Sequence, residues 1–216
     1  MGHKFAEIAF TPSVKAVQEQ LGSRASYARM ECGNIDRNHV LGPSEVDFIA
    51  QRDSFYMASV SETGWPYIQH RGGPTGFVRV LDGSTLGFAD FVGNRQYVSV
   101  GNLLKDDRIS LFFMDYPNRT RLKLLGRVKL IDLGEASILE KLALPDYRAR
   151  IERGFLISVD AFDWNCPQHI TPRYTTEQIE ASTEPMRQRV AELEAELAHS
   201  RQQQSQSRAR LKSKSG

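Results

Sequence analysis

The sequence predicts a mainly β protein whose strands form an antiparallel barrel, with flanking helices and a C-terminal helix. Short apolar segments rich in aromatic and β-branched residues recur through the middle of the chain, and turn sequences such as Glu62-Thr63-Gly64 and Asp82-Gly83 separate them. Units of strand, helix and strand are scarce, which disfavours a doubly wound parallel sheet. Antiparallel strands joined by hairpins, about six in number, are typical of a closed or nearly closed barrel.

The strand pattern covers residues 55–60, 66–71, 77–81, 85–89, 109–114, 121–131 and 154–162. The first four of these segments form two predicted hairpins. Residues 109–114 are almost continuously apolar, which predicts a strand buried on both faces. Gly126 interrupts the long strand 121–131 and predicts a bulge there.

The predicted helices flank the strands or connect them. Residues 12–21 carry apolar side chains at helical spacing between a capping Thr11 and a terminating Gly22, and a second helix opens at Pro43. Two short helices are predicted at 94–104 and 135–142. The chain is therefore divided into an N-terminal helix and arm at 1–42, a barrel domain at 43–175, a C-terminal helix at 176–201 and a disordered basic tail at 202–216.

The C-terminal helix carries a short heptad seam. Met186, Val190, Leu193 and Leu197 are spaced by four, three and four residues. Two heptads are too few to hold a coiled coil alone, because short isolated helices are marginal in water. Two interpretations stay open: a helix that packs on its own body, and a helix that pairs across a dimer.

Composition and motifs exclude several classes of protein. The net charge is +2, but the residues from Ser200 onward hold five basic side chains and no acid, so the remainder carries −3 and is not a nucleic-acid surface. Two cysteines are too few for a disulfide framework, and neither a membrane span nor a secretory signal is evident, so we expect a cytoplasmic protein. The sequence has no Walker loop, no dinucleotide fingerprint, no His-Glu-x-x-His and no Gly-x-Ser-x-Gly. No metal ligands are predicted.

The strongest candidate site is the stretch Pro66–Phe77, PYIQHRGGPTGF. It places Gln69, His70 and Arg71 at a strand end, directly before Gly72 and a tight turn. Side-chain donors and free backbone N–H groups at one point suit an anion or the polar edge of a planar heterocycle.

Three further clusters supply complementary chemistry. Asn94 and Arg95 precede a predicted helix that contains Ser99, which is typical of a phosphate site. Arg121 and Lys123 extend from one face of a long strand. After the last strand, an aromatic plane, a thiol and an imidazole follow in the order Trp164, Cys166 and His169. A phosphate site, donors for the polar edge of a heterocycle and an aromatic side chain that can pack on its face together suit flavin mononucleotide (FMN).

The order of QHRGGP, GNRxxxS, an LFF strand, an RLxxxG strand and NCPQHI resembles the FMN-binding split-barrel family related to pyridoxamine 5′-phosphate oxidase, over residues 41–173. The resemblance implies a six-stranded Greek-key split barrel and a homodimer that binds FMN between its subunits. It implies that Gln69, His70, Arg71 and Gly72 line the flavin, that Asn94, Arg95 and Ser99 hold the phosphate, and that Arg121 reaches the flavin. Trp164, Cys166 and His169 would close the groove from the partner chain.

The resemblance implies an oxidoreductase with an unknown substrate and unknown catalytic residues. The chain lacks the terminal Arg-x-His-Asp-Arg-like substrate motif of the true pyridoxamine phosphate oxidases, so oxidation of vitamin B6 does not follow. Two alternatives stay open: a flavin- or haem-binding sensor of the same fold, with His70, His169 or His199 as the axial ligand, and a deazaflavin-dependent reductase.

Overall fold

The computed structural model describes residues 2–32, 37–165 and 167–212. The chain divides into two compact units, Met1–Thr171 and Pro172–Gly216. The division lies close to the predicted domain boundary at residue 175. In the described parts of the chain, no helix combines the length and the apolar character needed to cross a membrane.

The first unit is built on one antiparallel sheet, in which the described residues form seven strands. The strands are β1 (Ser54–Val60), β2 (Pro66–Gly72), β3 (Arg79–Asp82), β4 (Thr85–Phe91), β5 (Arg108–Asp115), β6 (Thr120–Ile131) and β7 (Ile151–Asn165). Their order in the sheet is β2-β1-β5-β6-β7-β4-β3. The predicted antiparallel barrel is confirmed, with seven strands where six were expected.

The helices differ more from prediction than the strands do. They are α1 (Lys4–Ala9), α2 (Pro12–Gln20), α3 (Arg24–Ala28), α4 (Pro43–Ala50), α5 (Val98–Leu103), α6 (Ala136–Leu142) and α7 (Thr176–Lys212). α1 was not predicted, and α3 occupies part of the arm predicted to be irregular. α7 continues through the predicted disordered tail as far as Lys212, because its Gln, Arg and Ala residues favour helix.

An aromatic core fills the barrel around Phe55 of β1. The Phe55 ring centroid lies 5.0 Å from that of Phe113, 5.3 Å from Phe88 and 5.7 Å from Phe77. Phe155 of β7 stacks on Phe88 at 4.8 Å. Because these rings come from five different parts of the chain, their packing fixes how the sheet curls.

The prediction that β5 is buried on both faces is wrong. Ile109, Leu111 and Phe113 are buried in the core, whereas Phe112 and Met114 on the opposite face are only partly covered. The strand therefore has one core face and one apolar outer face.

The predicted bulge at Gly126 is confirmed by a register shift between Leu125 and Gly126 where β6 pairs with β7. A Cβ atom at position 126 would lie 2.5 Å from the carbonyl oxygen of Ser158. Only glycine allows the two strands to approach this closely.

Trp164, near the end of β7, attaches α4 to the barrel. Its indole Nε1 donates a hydrogen bond of 2.7 Å to Glu45 Oε1, and its ring packs edge-on against Phe48 with centroids 4.8 Å apart. Glu45 Oε2 accepts a bond from the backbone N–H of Gly42 and so caps the same helix. Trp164 thus has a structural role within its own chain.

We expect Trp164→Phe to lower the free energy of unfolding by about 1–3 kcal/mol, because the buried Glu45 oxygen loses its donor. The control is Trp65→Phe, since Trp65 is 76% exposed and its loss should change stability by less than about 0.5 kcal/mol. Urea unfolding followed by far-ultraviolet circular dichroism measures both. Equal midpoints for the two variants would show that the indole bond does not hold α4.

Candidate functional site

The alternation of β2 divides the predicted QHR cluster between two faces of the sheet. Gln69 and Arg71 point to the inner, partly buried face, and His70 points to the outer face. The His70 ring lies edge-on to Tyr56, with centroids 5.7 Å apart. Two neighbouring residues of one strand cannot share a face, so the side chains of Gln69 and Arg71 act on a different side from that of His70.

The turn after β2 presents fewer free donors than the sequence suggested. The backbone N–H of Gly73 donates to the carbonyl of Asp53 at 2.9 Å, and that of Gly76 donates to Arg52 at 3.1 Å. These bonds attach the turn to the end of α4. The expected set of free backbone N–H groups is therefore wrong for these two residues.

Arg71 forms a buried ion pair across the barrel. Its Nη1 lies 2.6 Å from Asp90 Oδ1 on β4, and both side chains are less than one-sixth exposed. The guanidinium carbon lies 5.0 Å from the ring centroid of Phe155 and 5.8 Å from that of Phe88. The Nε of Arg71 is buried without a hydrogen-bond partner among the described residues. A buried donor of this kind is available to an acceptor on a ligand.

Burial raises the pKa of Asp90 above its ordinary value of 3.8, and the attraction of Arg71 and Arg153 offsets this effect only in part. Although the ion pair is short, desolvation is the larger influence. The folded chain therefore holds this proton more tightly than the unfolded chain. Ionisation of Asp90 consequently lowers stability as the pH rises above about 3.8.

The loop after β4 is held in an unusual backbone conformation. Arg95 and Tyr97 have φ angles of 60° and 55°, in the left-handed region that side chains rarely adopt. This conformation delays the start of α5 to Val98, four residues after the predicted start. Arg95 Nε donates to the Tyr97 hydroxyl at 3.1 Å, and that hydroxyl donates to Glu152 Oε1 at 2.6 Å.

Hydrogen bonds join this loop to the sheet. The Ser99 hydroxyl, which is buried, donates to Gln69 Oε1 at 2.8 Å. The Asn94 side chain accepts a bond from the backbone N–H of Gln96 at 3.1 Å and fixes the turn. The bond to Tyr97 lowers the pKa of Glu152, so this carboxylate stays charged.

These contacts enclose a cavity of about 210 Å³. Five of the predicted site residues line it: Gln69, Arg71, Asn94, Arg95 and Ser99. Two carboxylates, Asp90 and Glu152, line it as well. A second cavity, of about 180 Å³, shares Arg71, Asp90 and Phe91 with the first and includes His70 and Gly72 in its lining.

Arg121, Trp164 and His169 line neither of these two cavities. Arg121 lies on β6 with its guanidinium carbon 5.9 Å from the Phe112 ring centroid, and its buried Nε has no partner within the described chain. Trp164 contacts α4, and His169 is exposed with a φ angle of 62°. Cys166 lies outside the described residues. The roles of these four residues at a ligand stay predictions.

Among the residues of the first cavity that sequence reasoning missed, Asp90, Tyr97 and Glu152 contribute polar contacts. A lone acid beside the apolar residues of β4 could have indicated Asp90, because a buried charge needs a partner. Tyr97 and Glu152 meet only because the folded sheet brings β7 beside the loop. Among the described residues, no cluster of His, Cys, Asp or Glu could hold a metal ion.

We expect Asp90→Ala to lower the free energy of unfolding by about 3–5 kcal/mol, because the buried Arg71 guanidinium loses both its hydrogen-bond acceptor and its ion-pair partner. Asp107→Ala is the matched control. Asp107 also pairs with an arginine, Arg127, at 2.7 Å, but both side chains are about half exposed, so the expected loss is about 0–1 kcal/mol. Chemical denaturation at neutral pH compares them. A loss for Asp90→Ala no larger than for the control would show that the buried pair does not hold the barrel closed.

Comparison with known proteins gives a family. The family model for pyridoxamine 5′-phosphate oxidase matches residues 42–165, which is more than half of the chain. No curated protein matches the chain. Solved structures with a similar fold include HupZ of Group A Streptococcus, an FMN-binding protein from Syntrophomonas wolfei subsp. wolfei and an F420 reductase.

HupZ is 13% identical, with 62% of this chain and 100% of that chain covered and a TM-score of 0.44. The FMN-binding protein is 12% identical, with 71% of this chain and 95% of that chain covered and a TM-score of 0.43. The F420 reductase is 16% identical, with 54% of this chain and 94% of that chain covered and a TM-score of 0.40. On the match of the family model, the chain belongs to the pyridoxamine 5′-phosphate oxidase family.

Proposed function

We propose that the protein binds FMN as a homodimer and acts as an oxidoreductase. The observation that carries the proposal is the convergence of five predicted side chains on one cavity. Gln69 and Arg71 come from β2, whereas Asn94, Arg95 and Ser99 come from the segment after β4, and all five line the same space of about 210 Å³.

The charges of the cavity suit a phosphate monoester. Two arginines, Arg71 and Arg95, and two carboxylates, Asp90 and Glu152, line the cavity. Arg153, which is outside the lining, pairs with both carboxylates, so the group as a whole has one positive charge in excess. Arg71 is already paired with Asp90, whereas Arg95 donates to a neutral hydroxyl and is attracted by the charge of Glu152. We therefore assign the phosphate contact to Arg95, with Asn94 and Ser99 as further polar partners.

The buried Nε of Arg71 has no partner among the described residues and suits a ligand acceptor. A positive donor in a buried setting stabilises negative charge more strongly than one in water. We assign it to the polar edge of the flavin ring. Bound FMN would supply the electron and hydride transfer, and the chain would supply orientation and charge.

The size of the cavity fits the polar end of FMN only. Small-molecule sites usually measure roughly 300–1,000 Å³, and this cavity measures about 210 Å³. The flavin ring therefore needs further cover. We propose that a second copy supplies it, with Cys166 and His169 in the positions that the family resemblance implies.

An apolar face on the outside of the sheet supports the second copy. Tyr56, Ile68, Phe112 and Met114 line an open depression of about 500 Å³ on β1, β2 and β5. Ile68 is 65% exposed. A contiguous apolar surface of this kind is typical of a protein interface. We assign it to a two-fold contact between copies.

We expect Arg95→Ala to weaken FMN binding roughly tenfold or more, because a charge-assisted hydrogen bond contributes about 1.5–3 kcal/mol. Arg127→Ala is the control, since Arg127 lies on β6 and pairs with Asp107 away from the cavity. Fluorescence titration with FMN measures both affinities. Equal FMN affinities for the two variants would show that Arg95 does not bind the phosphate.

Two measurements on the unmodified protein identify the cofactor. After incubation with FMN and desalting, the proposed function requires flavin absorbance in the protein fraction. Mass spectrometry of the cofactor released from the protein as isolated separates FMN from a deazaflavin. Protein that retains neither would contradict the proposed function.

We expect Ile68→Glu to convert the dimer to a monomer, because a charge would be buried in the apolar contact. Leu133→Glu is the matched control. The exposed fraction of Leu133, 62%, is similar to that of Ile68, but Leu133 lies after β6 and outside this face. Analytical ultracentrifugation measures the state of each. If monomeric Ile68→Glu protein held FMN as tightly as the parent, the site would lie within one chain, and the roles of Cys166 and His169 across the interface would be withdrawn.

A further inference from the structure

The long helix α7 carries an apolar seam that the proposed function does not use. Its five members are Ile179, Met186, Val190, Leu193 and Leu197, each between 47% and 70% exposed. They recur at spacings of seven, four, three and four residues along a helix that is otherwise polar. An apolar stripe at this period, left uncovered on a long helix, is typical of a coiled-coil strand.

The seam defines a heptad register. Val190 and Leu197 occupy position a, and Ile179, Met186 and Leu193 occupy position d. A β-branched residue at a with leucine at d favours a parallel pair of helices, and Val190 with Leu193 provides this combination in the middle of the seam. Thr183 occupies the intervening position a. Pro185, which lies inside the helix, occupies the outer position c, where it removes one backbone hydrogen bond but places no side chain in the seam.

The charges beside the seam are complementary to those of an identical helix. In this register Arg189 and Glu196 occupy position g, and Glu194 and Arg201 occupy position e. In a parallel pair, each g side chain faces the e side chain five residues further along the other helix. Arg189 then faces the partner's Glu194, and Glu196 faces the partner's Arg201. Both contacts join opposite charges, and each occurs twice by symmetry.

We propose that α7 pairs with α7 of a second copy of this chain, parallel and in register, along the seam from Ile179 to Leu197. Isolated helices with so short a seam are marginal. Two copies that are already tethered pair at a much higher effective concentration, so a short seam is then sufficient. The inference rests on the proposed homodimer, which tethers the two copies, but not on the cofactor.

Disulfide cross-linking of the full-length chain tests the pairing. Leu193→Cys places a thiol at position d, next to its copy in the pair, whereas Ala195→Cys places one at position f on the outside. The parent chain gives the background from the native thiols, including the exposed Cys32. Under mild oxidation we expect Leu193→Cys to form covalent dimer about tenfold faster than Ala195→Cys. Equal rates would overturn the proposal, and would also be the result if α7 packed elsewhere or bound a different protein.

Charge exchange tests the orientation in the same Leu193→Cys background. Arg189→Glu should slow cross-linking, and adding Glu194→Arg should restore it. Because Arg189 also pairs with Glu192 in its own helix at 2.8 Å, Glu192→Gln is the control that removes only that contact and should leave the rate unchanged. If Glu196→Arg restored the rate of cross-linking and Glu194→Arg did not, the two helices would be antiparallel and the proposed parallel pair would be wrong. Loss of cross-linking with retained dimer and bound FMN would refute this inference alone.

Discussion

The barrel depends on the ion pair between Arg71 and Asp90. β2 and β4, which carry these residues, are separated by four other strands in the sheet order. Their side chains nevertheless meet at 2.6 Å and close the split between the two ends of the sheet. The guanidinium also rests against Phe155 and Phe88, so closure combines a charge contact with the edge of the aromatic core.

This closure also shapes the candidate site. Arg71 and Asp90 line both cavities. A change in the pair would therefore alter stability and the site together. The raised pKa of Asp90 shows that the carboxylate loses more by burial than it recovers from its arginines. A well-packed apolar contact could hold the strands without that cost, so stability alone does not account for a charged pair at this position.

Under the proposed function, the two arginines of the first cavity would have different roles because their surroundings differ. Arg71 is held by Asp90 and the aromatic rings, so it keeps a fixed position, and its Nε is buried without a partner among the described residues. Arg95 is exposed, lies on a strained turn and donates to the Tyr97 hydroxyl, and its charge is attracted by that of Glu152. Its guanidinium has further donors for an incoming anion. A fixed donor for a ring edge and an adjustable cation for a phosphate are what a flavin nucleotide requires of one cavity.

Patterns local in sequence predicted the strands well. Alternation, hairpin turns and the glycine at the bulge depend on neighbouring residues, and β1, β2, β5 and β6 begin and end within one residue of their predicted bounds. The same alternation should have separated His70 from Gln69 and Arg71, because adjacent residues of a strand face opposite sides. The pairings of Asp90 with Arg71 and of Glu152 with Tyr97 could not be assigned, since these residues meet only through the closure of the sheet. The backbone strain at Arg95 and Tyr97 also has no local sequence signal, and it displaced the start of α5.

Two of the exposed apolar surfaces among the described residues differ in what they specify. The face around Ile68 and Phe112 is an open apolar depression without a charge pattern, so its sequence indicates burial but no register. The seam of α7 has a period and flanking charges, which together specify an identical partner, a direction and an alignment. If both surfaces join the same two copies, each contact raises the effective concentration for the other. A ligand that binds only the paired form would then stabilise both contacts by mass action, so cofactor content and the pairing of α7 would be linked although α7 need not touch the cofactor.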